Sequence, residues 1–185
     1  MKESKTIQWI KGAYTLISEK GMSSLNVEVL ARRLGRSKSS FYHYFGSLEH
    51  FQEDLLAYHV QEADEFAKLL HACDKLKPDV LNLFIERKED IFFHRHLRIN
   101  RGLPAFQECY EKAYQTVEEG ILEQWMKFLD LGTQPFFAKA FLNLIAENFL
   151  LRITEQEYSY TWLENYVEEA RYLLQQVKLN KENLS

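Results

Sequence analysis

The feature that most constrains this chain is a run of apolar and small residues between positions 27 and 44. Ala31 is small enough for a second helix to cross over it, and Gly35 tolerates the positive φ that a tight turn requires. Asn26 and Ser37 each precede a helical segment and are good N-cap residues. The spacing therefore predicts two short helices joined as a helix-turn-helix. Its positions are Val27, Leu30, Ala31, Leu34, Gly35, Phe41 and Tyr44.

The second predicted helix has two different faces. The stretch from Leu30 to Phe51 holds five aromatic rings and four fixed positive charges but only one acid. The inward face is aromatic, and the outward face is small, polar and basic. Lysine and tyrosine side chains donate to phosphates, and serine and histidine reach base edges in a major groove. Alternatively, the serines only cap and solvate a helix end. The outward residues are Lys38, Ser39, Ser40, Tyr42 and His43.

Charge is distributed unevenly along the chain. The net charge is −4, yet residues 1–50 carry +4 and residues 51–185 carry −8. A basic N-terminal segment on an acidic body indicates an anionic partner such as nucleic acid, although an excess this small also arises by chance.

Composition favours helices throughout. The sequence has only 7 Gly and 3 Pro, too few for the many turns of a β-rich protein. Helices are predicted at 105–129, 136–153 and 159–177, with a short mixed segment at 91–102. No apolar run is long enough to span a membrane, the N-terminus does not resemble a signal peptide, and two cysteines suggest reduced thiols. We therefore expect an all-α cytoplasmic protein that does not contact membranes.

The segment "GMSSLNVEVLARRLGRSKSSFYHYFGSLEHF", Gly21 to Phe51, resembles the TetR family of bacterial repressors. The resemblance implies an all-α homodimer with a three-helix head that binds a double-stranded DNA operator. It further implies a C-terminal helical domain for dimerisation and for a small-molecule effector that releases the repressor from DNA. We assign residues 1–47 to the DNA-binding domain and 48–185 to the C-terminal domain. The resemblance implies no cofactor.

Position by position, the resemblance assigns roles within the head. Tyr42 matches a phosphate-contacting tyrosine, and Asn26 and Val27 lie where the preceding helix abuts the DNA backbone. Glu28 lies where some members place a base-reading residue; its carboxylate either accepts from cytosine or favours the helix N-terminus. The sequence departs from the family pattern in two places, because Ser39 replaces a frequent glycine and Leu48 a frequent lysine that contacts phosphate. Arg36 departs from the general helix-turn-helix pattern, in which this position is usually apolar.

The C-terminal part of the sequence is less specific. A ligand pocket is expected among the central helices, although aromatic residues there also fit a plain core. The run "HRHLRINR" at 94–101 either recognises an anion or pairs with the acids at 86–90. His94 and His96 have no third ligand at convincing spacing, so no metal site is predicted. The candidate ligand-binding residues are Phe84, Phe93, Tyr110, Tyr114 and Trp125.

The alternatives to a DNA-binding regulator are an enzyme and an interaction protein. The sequence contains no P-loop, GxSxG, HExxH or GxGxxG motif, so an enzyme is not expected. The second alternative is a helical interaction protein whose TetR-like head no longer binds DNA, which Leu48 and the acidic body keep open.

Overall fold

The computed structural model describes residues 2–132 and 134–182, and within them the chain forms nine α-helices and no strand. The predicted all-α fold is confirmed. None of the described helices is both long enough and apolar enough to span a membrane. The helices are α1 (Lys2–Lys20), α2 (Val27–Arg33), α3 (Lys38–Phe45), α4 (Leu48–His71), α5 (Leu81–Glu86), α6 (Lys88–Ile99), α7 (Pro104–Leu129), α8 (Pro135–Arg152) and α9 (Tyr160–Glu182).

The helix boundaries in the head follow the local signals in the sequence. The Asn26 side chain caps α2 by accepting from the backbone N–H of Glu28 at 2.8 Å. Ser37 caps α3 by accepting from the Ser40 N–H at 3.2 Å. After α2 the chain turns at Gly35, whose φ is +63°. Cap and turn chemistry therefore fix the helix-turn-helix locally.

The chain divides into two compact units. The N-terminal unit comprises the residues up to Glu65 together with Lys88–Thr116, and the C-terminal unit comprises Phe66–Arg87 and the residues from Val117 onward. In the N-terminal unit, α6 packs along α1. The predicted division into residues 1–47 and 48–185 is one by function, and it stays a prediction.

The expectation of a short mixed segment at 91–102 is wrong. Most of it is the regular helix α6, and Ile91, Phe93 and Leu97 are buried in the N-terminal unit. Packing against α1 stabilises a helix whose many histidines and arginines obscure its apolar face in the sequence.

Close helix contacts hold the C-terminal unit together. A Cβ added to Gly120 of α7 would lie 3.0 Å from the Cα of Ala67 and 3.1 Å from its carbonyl oxygen, both in α4. The Tyr158 hydroxyl donates to the Phe84 carbonyl oxygen at 2.9 Å, and the Tyr166 hydroxyl donates to the carbonyl oxygen of residue 145 at 2.7 Å. The first hydrogen bond joins the loop before α9 to α5, and the second joins α9 to α8.

Candidate nucleic-acid interface

An aromatic cluster packs against the buried face of α3. Phe41 and Phe51 are fully buried, and their ring centroids are 5.0 Å apart. Trp9 of α1 meets Phe41 edge-on at 5.4 Å, and Phe45 meets Phe51 at 4.7 Å. Tyr44, predicted to face inward, is half-buried. Edge-to-face rings pack tightly and stabilise beyond the area they bury, so α3 is firmly held on α1 and α4.

The opposite face of α3 is open to solvent. Lys38, Ser39 and His43 are exposed, Ser40 is half-buried, and Tyr42 is 51% exposed. The ring of Tyr42 meets the Phe41 ring edge-on at 5.3 Å, which supports the ring while leaving it accessible. The five residues predicted on the outward face of the second helix therefore lie on one helix that contains no acid.

The three candidate residues of α2 have different surroundings. Asn26 is exposed, and its side chain is engaged in the helix cap. The side chain of Val27 is buried, so it packs within the head. Glu28 is exposed and forms an ion pair with Lys38, with 3.2 Å between Oε2 and Nζ. Two candidate DNA-contacting side chains are thus paired with each other.

Nearby arginines also have partners within the head. Arg33 makes two hydrogen bonds to Glu19 at 2.8 and 2.9 Å, and this contact lowers the pKa of the Glu19 carboxyl. The guanidinium of Arg36 lies 5.8 Å from the centroid of the Trp9 ring and donates to Gln8. Cation–π contact with Trp9 explains how an arginine occupies a position where an apolar residue is usual.

The predicted ligand-binding residues are distributed over both units. Phe93, Tyr110 and Tyr114 belong to the N-terminal unit, and Phe84 and Trp125 belong to the C-terminal unit. Tyr110 and Tyr114 both stack with His94, with ring centroids 4.5 and 6.5 Å apart.

A cavity of about 500 Å³ lies along α8 and α9, and none of the five predicted ligand-binding residues lines it. Its lining residues are Arg152, Trp162, Asn165, Tyr166, Glu168, Glu169 and Tyr172.

A buried polar chain in the N-terminal unit was not predicted. Tyr14 of α1 donates to Asp90 Oδ1 of α6 at 2.9 Å, and its oxygen lies 2.6 Å from Nδ1 of His59 in α4. Nε2 of His59 lies 3.2 Å from Nδ1 of His94 in α6. One residue in the sequence indicates this buried polar chain, because His59 interrupts the apolar stripe of α4 between Leu55 and Ala63.

With Asp90 as a carboxylate, the distances in this polar chain fit one arrangement of protons. The Tyr14 hydroxyl donates to Asp90, and Nδ1 of His59 donates to the Tyr14 oxygen. Nε2 of neutral His59 then accepts from His94. Burial lowers the pKa of His59 and raises that of Tyr14, which keeps both groups neutral.

The fold and this surface together define a class of protein. Helix α3 is the second helix of the helix-turn-helix, and its basic and polar face is exposed to solvent. The C-terminal part of the described chain is helical as well. DNA-binding transcriptional regulation is the function that this architecture supports.

Comparison with known proteins finds a family match in the N-terminal segment. Residues 10–53, which contain α2 and α3, match the family described as bacterial regulatory proteins, tetR family. No match is found among curated proteins.

Solved structures share the fold over nearly the whole chain. One is a candidate TetR-family transcriptional regulator from Mesorhizobium loti MAFF303099, with 16% identity and a TM-score of 0.61. The match covers 96% of this chain and 98% of that one. Another is a candidate TetR-family regulator from a Rhodococcus species, with 18% identity, a TM-score of 0.56, and coverage of 94% and 96%. At these identities the likeness concerns the fold.

Proposed function

We propose that this chain is a sequence-specific, non-enzymatic transcriptional repressor that binds operator DNA as a homodimer and is released by a small ligand. The observation that carries the proposal is the outward face of α3, which is exposed, free of acids and supported by buried rings. The family match of residues 10–53 supports the same function. Such a protein acts in the cytoplasm, where bacterial DNA lies.

In this proposal α3 enters the major groove. Lys38 and Tyr42 donate to phosphates, and Ser39, Ser40 and His43 reach base edges. Asn26 and the backbone of Val27 bring the start of α2 beside the opposite phosphates.

The test is a salt titration of binding to a mixed-sequence DNA duplex. Lys38→Ala combined with Tyr42→Ala should abolish binding and the steep dependence of affinity on salt. The control is Lys127→Ala, which removes an exposed lysine of α7 that pairs with Glu123 at 2.6 Å. If the unmodified chain fails to bind even at low salt, the proposal is contradicted and a helical interaction protein becomes the better reading.

The homodimer is supported by exposed apolar residues on the last two helices. Phe137, Leu144 and Leu151 recur at seven-residue spacing on α8 and are 42%, 65% and 60% exposed. On α9, Leu173 and Val177 are more than half exposed. Exposed large apolar side chains that recur along a helix indicate an interaction site, and a second copy of the chain is the partner we propose.

The effector part of the proposal rests on the resemblance of the head to the TetR family. The candidate contacts are the aromatic side chains Phe84, Phe93, Tyr110, Tyr114 and Trp125. A true effector must bind the DNA-free form more tightly, so DNA must weaken effector binding by the same factor. A ligand that binds without this reciprocity would not be the effector.

A further inference from the structure

The ion pair between Glu28 and Lys38 joins the two helices of the helix-turn-helix. Lys38 is the first residue of α3, Glu28 is the second of α2, and their side chains are 58% and 68% exposed. Exposed pairs contribute little to stability, so this pair opens readily. The pair matters because it places the negative charge of Glu28 beside Lys38 on the proposed DNA-facing surface.

Two other cations near this pair are engaged away from it, because Arg33 is held by Glu19 and Arg36 lies over Trp9. Arg32 is exposed, but it belongs to α2. The start of α4 carries Leu48, which supplies no charge. Lys38 therefore supplies the fixed positive charge on the outward face of α3, and Glu28 neutralises it in the free protein.

The carboxylate of Glu28 interacts differently with different groups on DNA. Beside a phosphate it is repelled, because like charges at close range are unfavourable. Opposite the N4 amino group of a cytosine it accepts a hydrogen bond. Adenine also presents an amino group, but the adjoining N7 is an acceptor, so a carboxylate suits adenine less well than glutamine does.

We propose that Glu28 determines specificity by controlling Lys38. On unrelated DNA, Glu28 keeps Lys38 paired and is repelled by the DNA phosphates, and both effects weaken DNA binding. On the operator, Glu28 accepts from a cytosine in each half-site and Lys38 is released to a phosphate. This inference rests on the proposed DNA-binding function.

The experiment compares the unmodified chain with Glu28→Gln. Sequences are selected from randomised duplexes, and affinity for mixed DNA is measured against salt. For the unmodified chain the enriched site should contain a C·G pair at symmetric positions. Glu28→Gln should lose that preference in favour of A·T, because glutamine bonds adenine through N6 and N7.

Glu28→Gln should also bind mixed DNA several-fold more tightly. The slope of log affinity against log salt should steepen by about 0.9, the value for one additional phosphate contact by Lys38. Lys38→Met should weaken binding to the enriched site more than binding to mixed DNA, because Lys38 reaches a phosphate only on the operator, and it should leave the C·G preference unchanged.

The matched control is Glu19→Gln, which removes the same charge from another ion pair of the head, that with Arg33, and should leave base preference unchanged. If the chain enriches a site but Glu28→Gln leaves either its base preference or its mixed-DNA affinity unaltered, this inference is overturned and the proposed function stands. If the chain neither binds mixed DNA at low salt nor enriches any sequence, both are overturned.

Discussion

Gly21 occupies a position where two separate constraints meet. Its φ is +84°, and a Cβ there would lie 3.3 Å from the His96 ring of α6. An L-residue is strained at this φ, and its side chain would also press on the contact between the end of α1 and α6. The residue that ends α1 therefore also permits the packing of α6.

Gly21→Ala should lower the free energy of unfolding by about 1–3 kcal/mol, as expected for left-handed strain plus steric contact. Urea denaturation measures this loss. Two other glycines separate the causes. Gly35→Ala has the strained φ but nothing within 4 Å, so it should cost less, and Gly102→Ala has neither constraint and should be close to neutral. Equal losses at all three positions would contradict this explanation.

His59 makes stability depend on pH. Burial holds its pKa well below the ordinary 6.5, so it stays neutral in the folded chain but charges in the unfolded one. As pH falls through 6.5, the unfolded state binds the extra proton, and stability is lost. By pH 5.5 this single residue should cost about 1.4 kcal/mol relative to neutral pH.

Urea denaturation at pH 7.5 and 5.5 tests this expectation. His59→Phe removes the titrating group, so its loss of stability on acidification should be smaller by about 1 kcal/mol, even if it is less stable at pH 7.5. His71→Phe, at an exposed position near the end of α4, is the control and should retain the full pH dependence. An unchanged dependence in His59→Phe would show that another group is responsible.

At the scale of single elements, α2 owes its start to Asn26, and this role must be separated from DNA contact. Asn26→Ala should cost about 1 kcal/mol in unfolding free energy, because the N–H groups of Glu28 and Val29 lose their acceptor. Asn26→Asp keeps an acceptor and should preserve stability. If Asn26 lies beside phosphates, Asn26→Asp should still weaken DNA binding. Stability and DNA affinity falling together in both variants would contradict this separation.

Local chemistry explains which elements could be predicted. The caps at Asn26 and Ser37 and the turn at Gly35 are interactions between near neighbours in sequence, so the helix-turn-helix was predicted to within a residue. Helix α6 was missed because its helical state depends on burial against α1, which no local pattern reveals.

The same distinction applies to the candidate site. The exposed face of α3 follows from helical periodicity and was predicted. The pairing of Glu28 with Lys38 depends on the angle between two helices. The chain from Asp90 through Tyr14 to His59 needs three helices brought together by the fold. Neither arrangement has a sequence spacing that would identify it.

At the scale of the whole molecule, the proposed dimer depends on the apolar stripe of α8. Leu144→Glu should convert a dimer to a monomer at micromolar concentration, because it places a charge in the centre of that surface. Sedimentation velocity measures the mass, and circular dichroism should show that the helices remain. Asn82→Glu adds the same charge at an exposed polar site of α5 and should leave the dimer intact. A dimer that survives Leu144→Glu would place the interface elsewhere.

DNA affinity should fall along with dimerisation. Two linked heads bind two half-sites far more tightly than one head binds one, since the second contact becomes intramolecular. Leu144→Glu should therefore weaken operator binding while leaving every residue of α3 unchanged. Full operator affinity in a confirmed monomer would contradict the proposal that the operator is bound by two linked heads.

The close approach at Gly120 has a consequence for the divergence of such proteins. Since any Cβ there would press on the backbone of Ala67, main chain rather than a movable side chain must give way by a few tenths of an ångström. A descendant of this chain would acquire another residue at position 120 most readily together with changes that let α4 and α7 separate slightly. Hydropathy would score alanine as harmless there, yet this close approach couples the sequences of the two helices at that point.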